Sequence, residues 1–137
     1  MGRILAIDYG LKRTGLAISD PLKIIASSLD VIHPDILIEY IVNYLKSECI
    51  ECIVVGFPKK LNNQNTDLTQ HVVGLIRKLK KTFPDIAIEK ADERFTSKIA
   101  MQAMIDGGVK KSQRRDKKMI DKISATLILQ NYLNYLK

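Results

Sequence analysis

Acidic residues are the scarce part of this chain's charge: 15 Asp and Glu stand against 22 Lys and Arg, a formal net charge of +7. Such a surface suits polyanions such as nucleic acid, although the same charge also serves plain solubility. Apolar runs are short as well. None approaches the roughly 18 residues of a membrane span, so no membrane partner is expected. The opening Met1-Gly2-Arg3-Ile4-Leu5-Ala6-Ile7-Asp8 meets a charge before a signal peptide's apolar region could form. The expected compartment is the cytoplasm.

Cysteine is nearly absent, and Cys49 and Cys52 form a lone C-x-x-C. A redox motif places its thiolate at a helix N-terminus, where the dipole lowers the pKa. This pair falls between a predicted helix end and a strand start, the wrong polarity. Zinc would need about two further ligands nearby, and none are spaced for it. Both cysteines are read as structural thiols. His33 and His71 stand apart from every motif and are read as structural or surface residues. No repeat and no linker divides the chain, so its 137 residues are expected to form one domain. With 46% hydrophobic and 27% charged residues, the composition is globular rather than disordered.

What is present falls into alternating elements. Ile4 to Tyr9 is an almost continuous apolar run and reads as a buried strand. Gly10 to Arg13 is a turn, Thr14 to Ser19 the returning strand of a hairpin, and Ile24 to Ile32 a third strand. Pro34 opens a helix to about Ser47, with Leu37, Ile38, Ile41, Val42 and Leu45 as its apolar positions. Cys52 to Phe57 is a short buried strand. The polar loop Pro58 to Asn65 leads to a helix from Thr66 to Thr82, and Ile86 to Ala91 is a fifth strand. Thr96 can cap a further helix that stops at Gly107-Gly108. The basic stretch Lys110 to Lys118 then leads into a last helix, roughly Lys117 to Leu136. The order predicts an α/β fold: a five-stranded mixed sheet, its first three strands antiparallel and the others parallel, with helices on both faces.

Three carboxylates stand where carboxylates are expensive. Asp8 ends a buried strand, at the sheet edge where ligands gather in such folds. Glu93 follows another buried strand, so if the two strands are parallel neighbours, or nearly so, both acids open onto one crevice. At 100° per residue, Asp121 lines up with Ala125, Ile128 and Tyr132 on the apolar stripe of the last helix. Like charges brought together raise each other's pKa. A divalent cation relieves that repulsion, and hard oxygen ligands suit Mg²⁺ or Mn²⁺. Two such ions can clamp the attacking and leaving oxygens of a phosphodiester displacement. Blander roles stay open: Asp8 as a turn residue, Glu93 as a partner of Arg94 or Lys90, Asp121 as a charge offsetting Lys117 and Lys118.

Gly10 permits close backbone approach, and Gly15 begins the return strand. Asp8-Tyr9-Gly10 followed by Gly15 also matches the first phosphate loop of actin-like kinases, but those folds need two such domains. Lys12, Arg13 and Arg94 flank the acidic crevice and suit phosphate contacts. Lys110, Lys111, Arg114 and Arg115 could grip a nucleic-acid backbone or form a solvated loop.

With these residues in view, a family resemblance emerges. Ile7-Asp8-Tyr9-Gly10-Leu11-Lys12-Arg13-Thr14-Gly15-Leu16-Ala17-Ile18-Ser19-Asp20 resembles the opening motif of the YqgF family. Val54-Val55-Gly56-Phe57-Pro58, Asp92-Glu93-Arg94-Phe95-Thr96-Ser97 and Asp121-Lys122-Ile123-Ser124-Ala125 resemble its later motifs, in the same order. Members of that family are described as Holliday junction resolvases and as nucleases of pre-16S ribosomal RNA. The resemblance implies a ribonuclease H-like fold and carries the catalytic, metal-binding acids onto Asp8, Glu93 and Asp121. Two departures stand out. Asn62-Asn63-Gln64-Asn65-Thr66 replaces a common Asp-Gly-Thr loop, and Phe57 and Ser124 replace the usual Leu and Ala.

The expected function is a metal-dependent nuclease on structured nucleic acid, trimming the 5′ end of pre-16S ribosomal RNA on the strength of the resemblance. Resolution of four-way DNA junctions is the alternative, and it would call for two sites and hence a dimer. No coiled-coil seam is evident, so a monomer or weak homodimer is expected. A non-catalytic nucleic-acid-binding module is the rival of another class.

Overall fold

Side-chain alternation along the strands decides what each face of the sheet buries. In β1 (Arg3–Asp8), Leu5 and Ile7 enter one apolar cluster while Ile4 and Ala6 enter another. β2 (Thr14–Ser19) divides likewise, Leu16 and Ile18 against Ala17. The computed structural model describes residues 2–57, 67–92 and 117–136 of the chain. β3 (Ala26–Ile32), β4 (Ile50–Phe57) and β5 (Ala87–Asp92) complete a five-stranded sheet in the order β3-β2-β1-β4-β5. β1–β2 and β2–β3 are antiparallel, whereas β1–β4 and β4–β5 are parallel. This is the mixed sheet expected from the order of elements.

The cluster on one face is closed by α1 (Leu37–Tyr44) and α2 (Asp67–Thr82). Leu37 and Ile41 of the first, and Val72, Leu75, Ile76 and Leu79 of the second, join Leu5, Ile7, Leu16, Ile53 and Val55. The opposite face belongs to α3 (Lys117–Tyr135), whose Ala125, Ile128, Leu129 and Leu133 pack on Ile4, Ala6, Ala17, Cys52 and Val54. The small Ala6 and Ala17 leave room for that helix to approach. Helices thus cover both faces, and none among the described residues is long and apolar enough to cross a membrane.

Several boundaries differ from expectation for identifiable reasons. β3 begins at Ala26, not Ile24, because Asp20 Oδ1 accepts hydrogen bonds from the backbone N–H groups of Ile24 (2.7 Å) and Ile25 (2.9 Å). Those two bonds, Ile25 first, hold the Asp20 carboxyl below its ordinary pKa. Lys23 takes a left-handed φ of 60° in the same turn, and Ile24 and Ile25 are left 47% and 60% exposed. The helix read from Pro34 starts as a 3₁₀ turn, Pro34–Ile36, capped by His33, whose Nδ1 accepts from Asp35 N–H at 3.1 Å. Leu37 and Ile41 are buried as expected, but Val42 is 43% exposed. The helix read from Thr96 lies outside the described residues.

Cys49 is exposed and Cys52 buried, both as free thiols. Cys52 Sγ lies 3.9 Å from the Tyr132 hydroxyl across the β4–α3 interface. Burial pushes the Cys52 thiol above its ordinary 9.0, and burial pushes Tyr132 up to about 12. Both neutral forms are therefore favoured by folding. Their stabilisation is full below about pH 9 and is lost as pH rises through the raised values. Chemical denaturation from pH 8 to pH 11 should show stability falling with pH, with a shallower fall in Tyr132→Phe. Identical slopes would remove Tyr132 from the account.

Candidate active site at the carboxyl edge of the sheet

The carboxyl ends of β1, β4 and β5 lie side by side, because Ile7 pairs with Val55 and Phe57 pairs with Asp92. Asp8, half-buried, is the last residue of β1. By alternation it shares the α3 face with Ile4 and Ala6. Its partner across the antiparallel ladder is Gly15, and the residue after Val55 on its other side is Gly56. Glycine in both adjoining strands leaves the space beside the carboxylate clear of neighbouring Cβ atoms.

The course of α3 decides which of its ends reaches this edge. Gln130 ties the helix to the start of β3, accepting from Ala26 N–H at 3.1 Å and donating to the Ile24 carbonyl at 3.2 Å. Tyr132 meets Cys52, which pairs with Ile4 near the start of β1. From there the helix rises across the sheet, since Ala125 and Ile128 still pack in the cluster that holds Ala6 and Val54. The helix is therefore antiparallel to β1. Climbing from Tyr132 to position 121 covers about 16 Å at 1.5 Å per residue, and Ile4 to Asp8 covers about 13 Å along the strand. Position 121 lies farther along this course, one turn before Ala125.

The loop after Asp8 has its own constraint. A Cβ on Gly10 would stand 2.3 Å from the Arg13 carbonyl oxygen, so the glycine is required by the turn itself. Thr14 Oγ1 donates to the Gly10 carbonyl at 3.4 Å. Lys12 is exposed and Arg13 half-buried at this corner. Lys90 places its Nζ 4.8 Å from the centre of the Phe57 ring, on the face away from α3. Glu93, Arg94, Lys110, Lys111, Arg114 and Arg115 lie outside the described residues, as does the side chain of Asp121. Among the described residues no group of three or more His, Cys, Asp or Glu converges as a metal site. Asp8 can supply a hard oxygen ligand at that edge.

One cavity was missed by sequence reasoning. It opens on the α1/α2 face beside Tyr9, and no linear motif marks it, because its walls come from separate helices.

Comparison with known proteins agrees with this architecture. Residues 2–135 match the model of a family described as "RuvX: Holliday junction resolvase". A protein of Phocaeicola vulgatus, named "Putative pre-16S rRNA nuclease", is 50% identical over 137 residues, covering 100% of this chain and 99% of the relative. A protein of Christiangramia forsetii with the same name is 48% identical over 133 residues, covering 97% and 98%. Among solved structures, fowlpox virus resolvase with Holliday junction DNA superposes with a TM-score of 0.57 at 14% identity, over 98% of each chain. Thermus thermophilus RuvC with a Holliday junction substrate gives 0.56 at 14% identity, over 99% and 96%. At that identity the likeness establishes the ribonuclease H-like fold of the resolvases. With the family matched over almost its whole length and relatives near half-identical throughout, the chain belongs to the RuvX (YqgF) family.

Proposed function

We propose that this protein is a divalent-metal-dependent nuclease that trims the 5′ end of pre-16S ribosomal RNA in the cytoplasm. The relatives' name supports the substrate, and membership of the family makes the chain a hydrolase of phosphodiester bonds. The observation that carries the site is the antiparallel course of α3. That course would carry position 121 toward the edge where Asp8 ends β1. Asp8, Glu93 and Asp121 would hold one or two Mg²⁺ or Mn²⁺ ions. When bound, such ions supply an activated water and stabilise the leaving oxygen. The chain's own part is to hold the carboxylates on rigid elements and to position the substrate. Gly10 keeps the corner tight, while Lys12, Arg13 and Arg94 would contact phosphates beside the scissile bond. Lys110, Lys111, Arg114 and Arg115 would grip the backbone farther out.

A second reading, resolution of four-way DNA junctions, is favoured by the family's description and the resolvase fold. The two are separated by one experiment. Purified protein is given a pre-16S leader RNA and a four-way DNA junction, each with Mg²⁺ or Mn²⁺. Cleavage of the RNA with the junction left intact is the expected result. Symmetrical nicking of the junction alone would replace the first reading with the second.

A further inference from the structure

The catalytic edge has a second side. Asp8 and Tyr9 are consecutive, so alternation turns Asp8 to the α3 face and Tyr9 to the face covered by α1 and α2. Tyr9 is half-buried against that core and also lines a cavity of about 350 Å³. His71, Gly74 and Lys78 of α2 form the far wall. A shallower groove beside it, walled by His71 and Gly74 again, reaches Leu11 in the loop after Asp8. The two concavities share His71 and Gly74 and run from Tyr9 to Leu11, on the other side of the sheet edge from Asp8.

Two independent features say what it holds. Charge is the first: from Thr69 to Thr82, α2 contains no Asp or Glu, while Arg77, Lys78, Lys80 and Lys81 are all exposed. Asp35 also lines the cavity, but its side chain is 87% exposed at the rim and its backbone N–H is committed to His33. The second is Gly74. Glycine within a helix is unfavourable relative to alanine, and here no described atom lies within 4 Å of where its Cβ would stand. Packing among the described residues does not require it. A bare backbone beside Lys78, on a stretch of helix whose other exposed charges are basic, permits close approach by a polyanion.

We infer that this groove is a second substrate track, taking the phosphodiester backbone of the RNA strand that runs on from the scissile bond. The strand would turn over the sheet edge between Asp8 and Tyr9. A base would stack on the Tyr9 ring, and the backbone would lie against Gly74 with phosphates at Lys78 and His71. This track rests on the nuclease reading above, and its test keeps the two apart.

The test uses the full chain and a labelled hairpin RNA with a single-stranded 5′ tail, bound in EDTA over a range of salt. Gly74→Gln places its Cβ where no described atom lies within 4 Å and extends into the groove. It should melt at or above the wild-type temperature, and a thermal melt run beside wild type separates lost binding from misfolding. Its affinity should fall roughly tenfold, the scale of losing one stacked base. Lys78→Gln should bind more weakly and flatten the salt dependence by about 0.7 in log–log slope, one phosphate on a single strand. Asp8→Asn is run alongside for cleavage in Mn²⁺. If both α2 variants bind with wild-type affinity and slope while Asp8→Asn stops cleavage, the track is overturned and the nuclease reading stands. If wild type neither binds nor cleaves the RNA, both are overturned.

Discussion

Asp8→Asn should lower metal-dependent cleavage by roughly three orders of magnitude, the equivalent of about 4 kcal/mol in the barrier. The substitution keeps the shape of the side chain and removes its charge. Its surroundings make that charge the informative variable. Asp8 closes a strand whose preceding residues are buried, and it lies between the glycines of β2 and β4. If the acid gathers with Glu93 and Asp121, the metal-free protein carries unrelieved repulsion, and the Asn variant should melt at the same or a higher temperature. Wild type should gain stability from millimolar Mn²⁺ by mass action, and the variant should gain less. A turn residue would behave otherwise. Full cleavage by Asp8→Asn, with an unchanged melting response to Mn²⁺, would reduce Asp8 to that role.

Leu129→Ala is expected to be the most damaging change away from the site. Leu129 is fully buried where α3 meets the sheet, among Ile4, Ala6, Ala17 and Val54. Truncation removes apolar contact and leaves a cavity, and such changes destabilise by about 2–5 kcal/mol. That is a large share of the roughly 5–15 kcal/mol typical of a whole domain. Thermal and urea unfolding would measure it. The consequence should extend to function, because the helix that loosens carries position 121. Partial activity loss at temperatures where the variant is still folded is expected. A loss below about 1 kcal/mol would mean that α3 is held chiefly by its polar ties, such as Gln130 to β3.

Much of this was legible in linear form because it depends on periodicity. Helical spacing alone put Ala125 and Ile128 on one stripe, and both are buried; the side chain of Asp121, on the same spacing, lies outside the described residues. The mixed pairing, antiparallel in the first three strands and parallel after, followed from a hairpin and then helix-separated strands. What escaped depends on side chains reaching across the chain. Asp20 stops β3 from starting at Ile24 by bonding backbone groups four and five residues on. Val42 carries an apolar side chain, yet the short first helix buries Leu37 and Ile41 and leaves Val42 exposed. Gly10 drew notice as a place for a ligand to approach, whereas the close approach found is to Arg13 of its own loop. The α2 groove had no signature because Tyr9 and His71 become neighbours only through the fold.

The antiparallel docking of α3 also sets a timetable. β1 pairs with β2 almost at once, through a short hairpin, but the surface of Ile4, Ala6, Ala17, Cys52 and Val54 is complete only after β4 has joined. The helix that seals it is encoded far downstream, and distant contacts of this kind close slowly. If position 121 completes the proposed site with Asp8, a nascent chain emerging from a ribosome would expose Asp8 long before that partner is in place. Such an incomplete chain should be unable to cut, so a protein whose proposed substrate is ribosomal RNA would be born harmless to the ribosome that makes it.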